Sequence, residues 1–429
     1  MRKVFLVMTV GAWTMPPADA IPRHALTLLA LALLAGPRAA AAAPPQPAVR
    51  LGVDVLLAER ADLVAGKRVG LVTHAAGVDA QLVATADRLA ADPRVDLVQL
   101  YAPEHGLRGA MAAGEQLADS VDPATGVPVQ ALFGQRRRPT AASLSRLDVL
   151  VFDLQDVGSR TYTYASTLGE AMTAAAAAKI PLVVLDRPNP LGGRLFEGPI
   201  RDAKRKSFLG WGPVPVTHGL TFGELARLYN GELDLGCDLR VVPMTGWRRD
   251  MVWEDTGLAW VPTSPGIPHA ASAHLYVATG MFAGVTTNVN EGVGTTQPFE
   301  LTGASFTRPQ TLARELAAAD LPGVVFRPAT WRPYYHRFAK QVLGGVHLIV
   351  TNPHAFRPLR TALTLMTTVE RLHPKVVTYR SPAYVARIWG RDDVLTAVRA
   401  GRTPAELEAS WADDLAAFAA TRQRYLLYD

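Results

Sequence analysis

The sequence has a single cysteine, no long apolar run after residue 43 and no nucleotide-binding motif, and each absence excludes a class of protein. With Cys237 alone, the chain cannot form an intramolecular disulfide framework, a zinc finger or an iron–sulfur cluster. No stretch of 18 or more apolar residues follows residue 43, so no transmembrane span is expected there. Neither G-x-G-x-x-G after the first strand-like segment nor G-x-x-x-x-G-K-S/T anywhere is present, so no nucleotide cofactor is predicted.

The remaining composition indicates a folded protein of about two domains. The chain has 429 residues, of which 49% are hydrophobic and 19% are charged. This length exceeds that of a usual single domain and allows a sizeable core to be buried. The formal net charge is +6, but residues 1–43 contain four basic residues and one acidic residue, so the rest carries +3. A chain so close to neutral gives no indication of nucleic-acid binding.

The N-terminal region has the pattern of a secretory signal peptide. An apolar run, Ala25–Ala35, follows the basic flank of Arg23 and His24 and precedes the small residues Ala39–Ala43. The run is too short to span a bilayer comfortably. The pattern predicts that residues 1–43 are removed and that the protein is secreted or periplasmic. The alternative is an uncleaved membrane anchor.

Short apolar segments alternate with helix-like segments between residues 51 and 190. Continuous apolarity over so few residues is typical of strands that are buried on both faces of a parallel sheet. Helices are predicted between them, over Val78–Ala91 and Tyr164–Lys179. The alternation predicts a doubly wound α/β layer with a mostly parallel sheet. The five predicted strands are Arg68–Thr73, Val95–Tyr101, Val127–Leu132, Asp148–Leu154 and Ile180–Leu185.

The second half of the sequence is less regular, and the boundary between the halves is predicted near residues 200–220. Two capping-box patterns open helices: Thr221–Glu224 starts one that extends to about Asn230, and Thr403–Glu406 starts a final helix. Long loops are predicted over residues 255–300. The other predicted elements are a strand at Val346–Val350, a helix at Leu359–Leu372, and apolar positions of the final helix at Leu407, Trp411, Leu415 and Phe418.

Polar side chains follow four of the predicted strands, where an α/β sheet usually binds its ligand. Such clustering predicts a site at the carboxyl edge of the sheet. Asp153 and Asp156 are three residues apart, so at most one of them is expected to reach this site. The strand-end residues are His74, then Glu104 and His105, then Asp153, Gln155, Asp156, Arg160 and Tyr162, and finally Asp186, Arg187 and Asn189.

Glu104 is the leading candidate for a general acid. A carboxyl group beside apolar strands and Pro103 can be kept in its protonated form by desolvation. The alternative is a structural carboxylate that pairs with Arg108 or caps a neighbouring turn. Both interpretations remain open from the residues alone.

Other candidates also have two interpretations. Tyr162 and Tyr164 could stack on a sugar or anchor their loop, and Glu170 could be a second carboxylate or a surface group. The loop Asn290–Gly294 could approach a ligand closely, or could be a plain turn. The histidines are scattered and H-E-x-x-H is absent, so no metal is predicted. No G-x-S-x-G elbow follows a strand, which disfavours a serine hydrolase.

Seven strings in a fixed order give a more specific indication, and together they cover the chain from about residue 51 to its end. On these strings the sequence resembles the NamZ family of exo-β-N-acetylmuramidases. The strings are GLVTHAAG (Gly70–Gly77), LYAPEHGLRG (Leu100–Gly109), FDLQDVGSRTYTY (Phe152–Tyr164), LDRPNPLGG (Leu185–Gly193), SPGIP (Ser264–Pro268), TNVNEGVG (Thr287–Gly294) and RYLLY (Arg424–Tyr428).

The resemblance implies a Rossmann-like catalytic domain, taken as residues 44–210, and a smaller α+β auxiliary domain, residues 211–429, that contributes to the active-site cleft. It implies release of N-acetylmuramic acid from the non-reducing ends of peptidoglycan fragments, without a cofactor. The catalytic glutamate of the family corresponds to Glu104, in the PEHG string. For a second carboxylate the order of preference is Glu291, Asp156 and Glu170.

The substrate suggests roles for further residues. Arg187 or Arg160 could pair with the lactyl carboxylate of muramic acid, and His74 or His105 could tune Glu104 or bind the sugar. Substrate-assisted catalysis through the acetamido group stays open. The rival function is a secreted protein that binds muropeptides or wall sugars without cleavage; an esterase or amidase lacks a recognisable nucleophile. The remaining substrate-binding candidates are Tyr162, Tyr164, Glu170, Asp186, Asn189 and Asn290.

Overall fold

Seven strands form one sheet in a computed structural model that describes residues 49–429; the predicted signal peptide lies outside these residues. The strand order is β3-β4-β2-β1-β5-β6-β7, and all neighbours are parallel except β3 and β4. Without β3, this is the order of a Rossmann fold, so the predicted doubly wound sheet is confirmed. The strands are β1 (Arg68–Thr73), β2 (Asp96–Ala102), β3 (Ser120–Val121), β4 (Pro128–Ala131), β5 (Val149–Asp153), β6 (Leu182–Leu185) and β7 (Leu239–Val242).

Helices cover both faces of this sheet because its central strands are apolar on both sides. Every residue of β5 and β6 is buried. Val149 and Val151 pack on the face covered by the first two helices, whereas Leu150 and Phe152 pack on the other face. The covering helices are α1 (Gly52–Glu59) and α2 (Thr85–Ala91) on one face, and α3 (Ala141–Leu144), α4 (Thr163–Ala178) and α5 (Phe222–Glu232) on the other.

A second, smaller sheet lies in the C-terminal part of the chain. It is antiparallel, with the order β8-β10-β9, and one apolar core joins it to helices at Phe282, Leu363 and Trp389. This confirms the predicted smaller α+β unit. No helix within residues 49–429 is long and apolar enough to cross a membrane. The elements are α6 (Ala270–Ala283), β8 (Leu301–Ala304), α7 (Pro309–Ala317), β9 (Val324–Trp331), β10 (Leu343–Val350), α8 (Pro358–Leu372), α9 (Pro382–Trp389), α10 (Val394–Arg399), α11 (Pro404–Ala409) and α12 (Ala412–Arg422).

The large sheet extends past residue 210, because β7 pairs with β6 in parallel. The end of the chain also returns to this sheet: the Tyr428 hydroxyl donates to Asp186 Oδ2 at 2.6 Å, and the Leu427 amide donates to Glu224 Oε1 at 2.9 Å. The division at residue 210 stays a prediction, but residues on both sides of it build the larger layer.

The predicted helix over Val78–Ala91 was too long, since α2 begins only at Thr85. The Asp79 side chain accepts hydrogen bonds from the amides of Gln81 and Val83, each at 2.9 Å. An aspartate that bonds the following amides stabilises a turn instead of a helix.

The loop predicted over residues 255–300 was also partly wrong, because it contains the fourteen-residue helix α6. Ten of its residues are buried, so it lacks the polar face by which surface helices are recognised. The capping box at Thr221 is confirmed, and that at Thr403 is present as well. The single final helix was wrong: α11 and α12 are separated at Ser410 and at Trp411, which is buried against Trp389.

Arg160 joins the two parts of the fold. Its side chain is completely buried, and its Nη1 donates to the carbonyl oxygens of Pro199 and Val214, each at 2.8 Å. Its Nη2 donates to those of Ile388 and Trp389, at the C-terminal end of α9. A cation at this end satisfies unpaired carbonyls and offsets the helix dipole. The guanidinium that we expected to bind substrate is therefore enclosed in the protein.

We expect Arg160→Met to lower the free energy of unfolding by at least about 3 kcal/mol, because four buried carbonyls would lose their donor. Chemical denaturation measures this. Arg194→Met is the control: its side chain is 75% exposed, and the expected change is within about 0.5 kcal/mol. Equal stability of the two variants would contradict this role of Arg160.

Candidate active site

The strand order reverses between β1 and β5, and His74 lies at this point. Its Nε2 accepts the amide hydrogen of Gln155 at 2.9 Å, so a neutral ring carries its proton on Nδ1. Burial, aided by Arg187 and His105, holds the pKa of His74 well below its ordinary value. The ring also meets Tyr164 edge-on, at 4.8 Å between centroids. His74 is thus a neutral residue at the base of the crevice outside the carboxyl edge of the sheet; we call this base the floor.

A buried ion pair lies beside this floor. Asp153 Oδ1 and Oδ2 accept hydrogen bonds from Arg187 Nε and Nη2, at 2.5 and 2.8 Å. Asp153 also accepts from the Thr85 hydroxyl, and Arg187 donates to the carbonyl of Val78. Both charged side chains are almost completely buried. The Arg187 guanidinium is thus paired within the protein, whereas we had expected it to bind the substrate.

Glu104 follows β2, and both of its carboxylate oxygens are held. Oε1 accepts the Gly114 amide at 2.9 Å, and Oε2 accepts the Thr163 hydroxyl at 2.8 Å. The pairing with Arg108 that we considered does not occur, because that residue binds Asp87 and Asp122. The Glu104 side chain is therefore oriented by uncharged donors.

The turn after Glu104 is strained. His105 has a φ of 73°, in the left-handed region that side chains other than glycine rarely adopt, and Gly106 follows at 78°. The His105 Nδ1 donates to the carbonyl of Met111 at 3.1 Å, which fixes the turn and leaves Nε2 without a proton in the neutral ring. Strain of this kind clusters at functional sites.

A cavity of about 300 Å³ is lined by Glu291 and by residues near Glu104; we call it the Glu291 cavity. Ala113, the neighbour of Gly114, lines it, and so does Thr161. The cavity thus touches the segments that supply both donors to Glu104. Elements of both parts of the fold contribute to its wall, which includes Ala113, Thr161, Tyr276, Glu291, Phe299, His336, Arg337, Arg380 and Tyr384.

Tyr276 is the wall residue that connects the cavity with Glu104. The Thr161 hydroxyl lies 3.4 Å from the Tyr276 hydroxyl. Burial raises the pKa of Tyr276, and the negative charge of Glu104 acts in the same direction. A cavity of this volume is at the small end of ligand sites in proteins and suits a compact ligand.

Glu291 is the one predicted second carboxylate that lines the cavity. Its Oε2 pairs with Arg337 Nη2 at 2.9 Å, and the guanidinium also donates to the carbonyls of Thr286 and Val289. The neighbouring Asn290 accepts from the Gly292 amide and from the Trp331 indole. Asn290 therefore shapes the loop that presents Glu291.

Asp156 is buried beside the crevice. Its Oδ2 accepts from the Gly158 amide at 3.0 Å and lies 3.2 Å from His218 Nε2. Because His218 Nδ1 accepts from the Leu220 amide, the neutral ring carries its proton on Nε2 and donates it to Asp156. Asp156 Oδ1 has no partner within residues 49–429.

The remaining predicted residues support the loops. Tyr162 and Tyr164 are buried and bond to Thr263, so they anchor the loop and offer no open face for a sugar. Glu170 binds the Trp211 indole and Arg138 at the side of α4. The other two also bond within the protein: Asn189 donates to Leu220 O, and Asp186 accepts from Tyr428, Thr221 and Gly223.

A larger cavity lies elsewhere in the described residues. It measures about 850 Å³ and lies between α8 and the segment that joins α10 to α11. None of the predicted site residues lines it, so volume alone does not identify the site here. The candidate residue Glu291 lines the smaller cavity instead.

Two family models match the chain one after the other. The model for exo-beta-N-acetylmuramidase NamZ, N-terminal, matches residues 69–271, and that for the C-terminal part matches residues 274–428. The chain belongs to the NamZ family. The resemblance inferred from the seven sequence strings is thereby confirmed, and the two models together cover the Glu104 turn and the whole wall of the Glu291 cavity.

Individual NamZ-family proteins extend this result. The peptidoglycan beta-N-acetylmuramidase NamZ of Bacillus subtilis (strain 168) is 40% identical over 383 residues, which are 89% of this chain and 92% of that protein. A crystal structure of a DUF1343 family protein from Bacteroides fragilis NCTC 9343 has a TM-score of 0.84 and 37% identity, covering 90% of this chain and 100% of that one. A second crystal structure of a DUF1343 family protein from the same organism has a TM-score of 0.71 and 26% identity, covering 89% of this chain and 99% of that one.

Sequence reasoning missed three residues of this NamZ-family site: Thr163, Tyr276 and Arg380. Thr163 lies between the two tyrosines that attracted attention, and a threonine near a helix start is usually a cap. Tyr276 lies in α6, which was expected to be a loop. Arg380 precedes α9 in a segment without any motif. Tyr276 and Arg380 are brought to the cavity only by the tertiary fold.

Asp186 generates a prediction about pH. Burial raises the pKa of Asp186 to about 6, despite the hydroxyl and amide groups that donate to it. The ordinary value is about 3.9. The folded protein therefore binds more protons between these values, and the stabilisation is full below about pH 4 and lost as the pH rises through about 6. Relative to Asp186→Asn, the wild type should lose on the order of 2–3 kcal/mol of unfolding free energy between pH 4 and pH 7.

Urea denaturation at a series of pH values measures this difference. The control is Asp238→Asn, an exposed carboxylate paired with Arg240, for which the difference from wild type should stay constant. A constant difference for Asp186→Asn as well would mean that the buried carboxyl titrates as in the unfolded chain.

Proposed function

We propose that this chain is a glycosidase that releases N-acetylmuramic acid from the non-reducing ends of peptidoglycan fragments, with Glu104 as the general acid. Membership of the NamZ family supports the activity, and the Bacillus subtilis relative is named a peptidoglycan beta-N-acetylmuramidase. The observation that carries the role of Glu104 is its carboxylate, held by Thr163 and Gly114, whose neighbours Thr161 and Ala113 line the Glu291 cavity.

The geometry of Glu104 suits transfer of a proton. An amide N–H can only donate, so Oε1 of Glu104 stays an acceptor towards Gly114. A hydroxyl can donate or accept, so Thr163 can serve Oε2 whether that oxygen is ionised or protonated. The transferable proton therefore belongs on Oε2, from which it passes to the glycosidic oxygen as the bond to the sugar breaks.

Glu291 is the proposed second carboxylate. It lines the cavity in a pair with Arg337, and a carboxylate is the group that the reaction requires as base or nucleophile. Asp156 is less suited because it is buried and already bonded to His218 and Gly158. The acetamido group of the substrate offers a second route, in which it attacks the anomeric carbon itself.

We further propose that the enzyme is exported and acts outside the cytoplasm, either secreted or in the periplasm. The apolar run Ala25–Ala35, its basic flank and the alanines that follow support this. The substrate supports it as well, because the wall polymer lies outside the cytoplasmic membrane.

Glu104→Gln keeps the shape of the side chain and removes its acid. We expect kcat to fall by about a thousandfold on a muramyl–N-acetylglucosamine disaccharide, whose leaving oxygen needs a proton. On 4-nitrophenyl β-N-acetylmuramide the loss should be about tenfold, because nitrophenolate leaves without full protonation. Steady-state kinetics on both substrates measure the contrast.

Glu59→Gln, an exposed carboxylate paired with Arg50, is the control and should act like wild type. Equal losses on the two substrates would assign Glu104 another role. Unchanged turnover of the disaccharide would remove it from catalysis. Binding of the disaccharide without any release by wild type would instead identify a binding protein.

Thr163→Val removes the hydroxyl that orients Glu104 at almost constant volume. We expect kcat on the disaccharide to fall about tenfold with KM nearly unchanged, because the sugar would still bind. Thr163→Ser restores the hydroxyl and should recover most of the rate. A valine variant as fast as wild type would contradict this role of the Thr163 hydroxyl.

A further inference from the structure

Arg380 is a cation in the wall of the Glu291 cavity that has no ion-pair partner in the described part of the chain. Its guanidinium lies over the ring of Tyr384, 4.9 Å from the ring centroid. Within residues 49–429 it forms no ion pair and its side chain makes no hydrogen bond. We propose that Arg380 binds the lactyl carboxylate of the muramyl unit and so selects this sugar. This inference rests on the proposed function.

The other candidate guanidinium groups are already used. Arg160 donates to four backbone carbonyls in the core, and Arg187 is paired with Asp153. Arg337 lines the cavity as well, but it binds Glu291 and backbone carbonyls. A substrate carboxylate would have to displace these partners, whereas it can approach Arg380 without breaking a protein contact.

The backbone fixes Arg380 beside the proposed second carboxylate. The Arg380 amide donates to the carbonyl of Val285 at 2.9 Å, and Tyr379 and Thr286 form a bridge next to it. The segment that begins at Val285 continues to Glu291, and Arg337 donates to its carbonyl oxygens at Thr286 and Val289. The cation and the carboxylate are therefore anchored to one short piece of chain.

Arg380 is the cation of the cavity wall that is left for an anionic substrate. Glu291 and Arg337 neutralise each other, whereas Arg380 has no ion-pair partner within residues 49–429. The lactyl carboxylate of the sugar would supply the missing negative charge. A guanidinium matches a carboxylate with two parallel hydrogen bonds, which a sugar hydroxyl cannot accept equally well. Arg380 thus favours muramic acid over N-acetylglucosamine, which has no carboxylate.

The test uses two substrates, 4-nitrophenyl β-N-acetylmuramide and the same compound with its lactyl carboxylate converted to a carboxamide. Wild type should have a kcat/KM roughly 50-fold lower on the amide. R380A should lose about the same factor on the acid and nothing further on the amide. R380K should recover part of the rate on the acid, because it restores the charge without the two-pronged contact.

The control is R387A. Arg387 lies over the same Tyr384 ring, also at 4.9 Å, but is not part of the cavity wall. It should keep the wild-type preference for the acid. The exposed Arg380 side chain has no hydrogen-bonding partner in the described chain, so R380A should keep the wild-type melting temperature.

The outcomes separate the two proposals. If wild type releases nitrophenol from neither compound, the proposed function fails and the role of Arg380 fails with it. If wild type prefers the acid and R380A keeps that preference, the function stands and Arg380 is not the lactyl partner. Equal rates of wild type on the acid and the amide would also overturn the role of Arg380 without affecting the glycosidase assignment.

Discussion

The ion pair between Asp153 and Arg187 determines the shape of the carboxyl edge of the sheet. It joins the ends of β5 and β6, and it reaches the start of α2 through Thr85 and the turn at Val78. Removing one partner of such a buried pair typically costs about 3–5 kcal/mol. These charges fill the floor beside the point where the strand order reverses, and the Glu291 cavity is lined by other residues.

Most of the larger sheet could be predicted from the sequence, because its strands are buried on both faces and read as unbroken apolar runs. All five predicted strands occur, within two residues of their predicted ends. Two predicted elements were wrong because their sequence pattern is misleading. Helix α6 is buried on nearly every side, so it shows no amphipathic period, and Asp79 replaces the first turns of a helix by bonding the following amides.

The site was harder to predict than the fold. Polar residues at strand ends were correctly expected to gather, but the sequence does not tell whether a side chain turns towards the ligand or into the protein. Arg160, Arg187 and Asp186 turn inward and bond to the protein, whereas Glu104 is held by Thr163 near the Glu291 cavity. Arg380 lies about 275 positions after Glu104 in the chain and still lines the cavity. No local sequence pattern predicts that residues so far apart come close together.

Residues 427–429 bond to several elements of the larger part of the fold. Leu427 bonds to Glu224, Tyr428 bonds to Asp186 and Met244, and the carbonyl of Asp429 accepts from Arg249. These bonds connect α5 with the segments that follow β6 and β7. Loss of Leu427 and Tyr428 would therefore leave the buried carboxylates of Glu224 and Asp186 each one donor short, and a short terminal segment stabilises helix and sheet together.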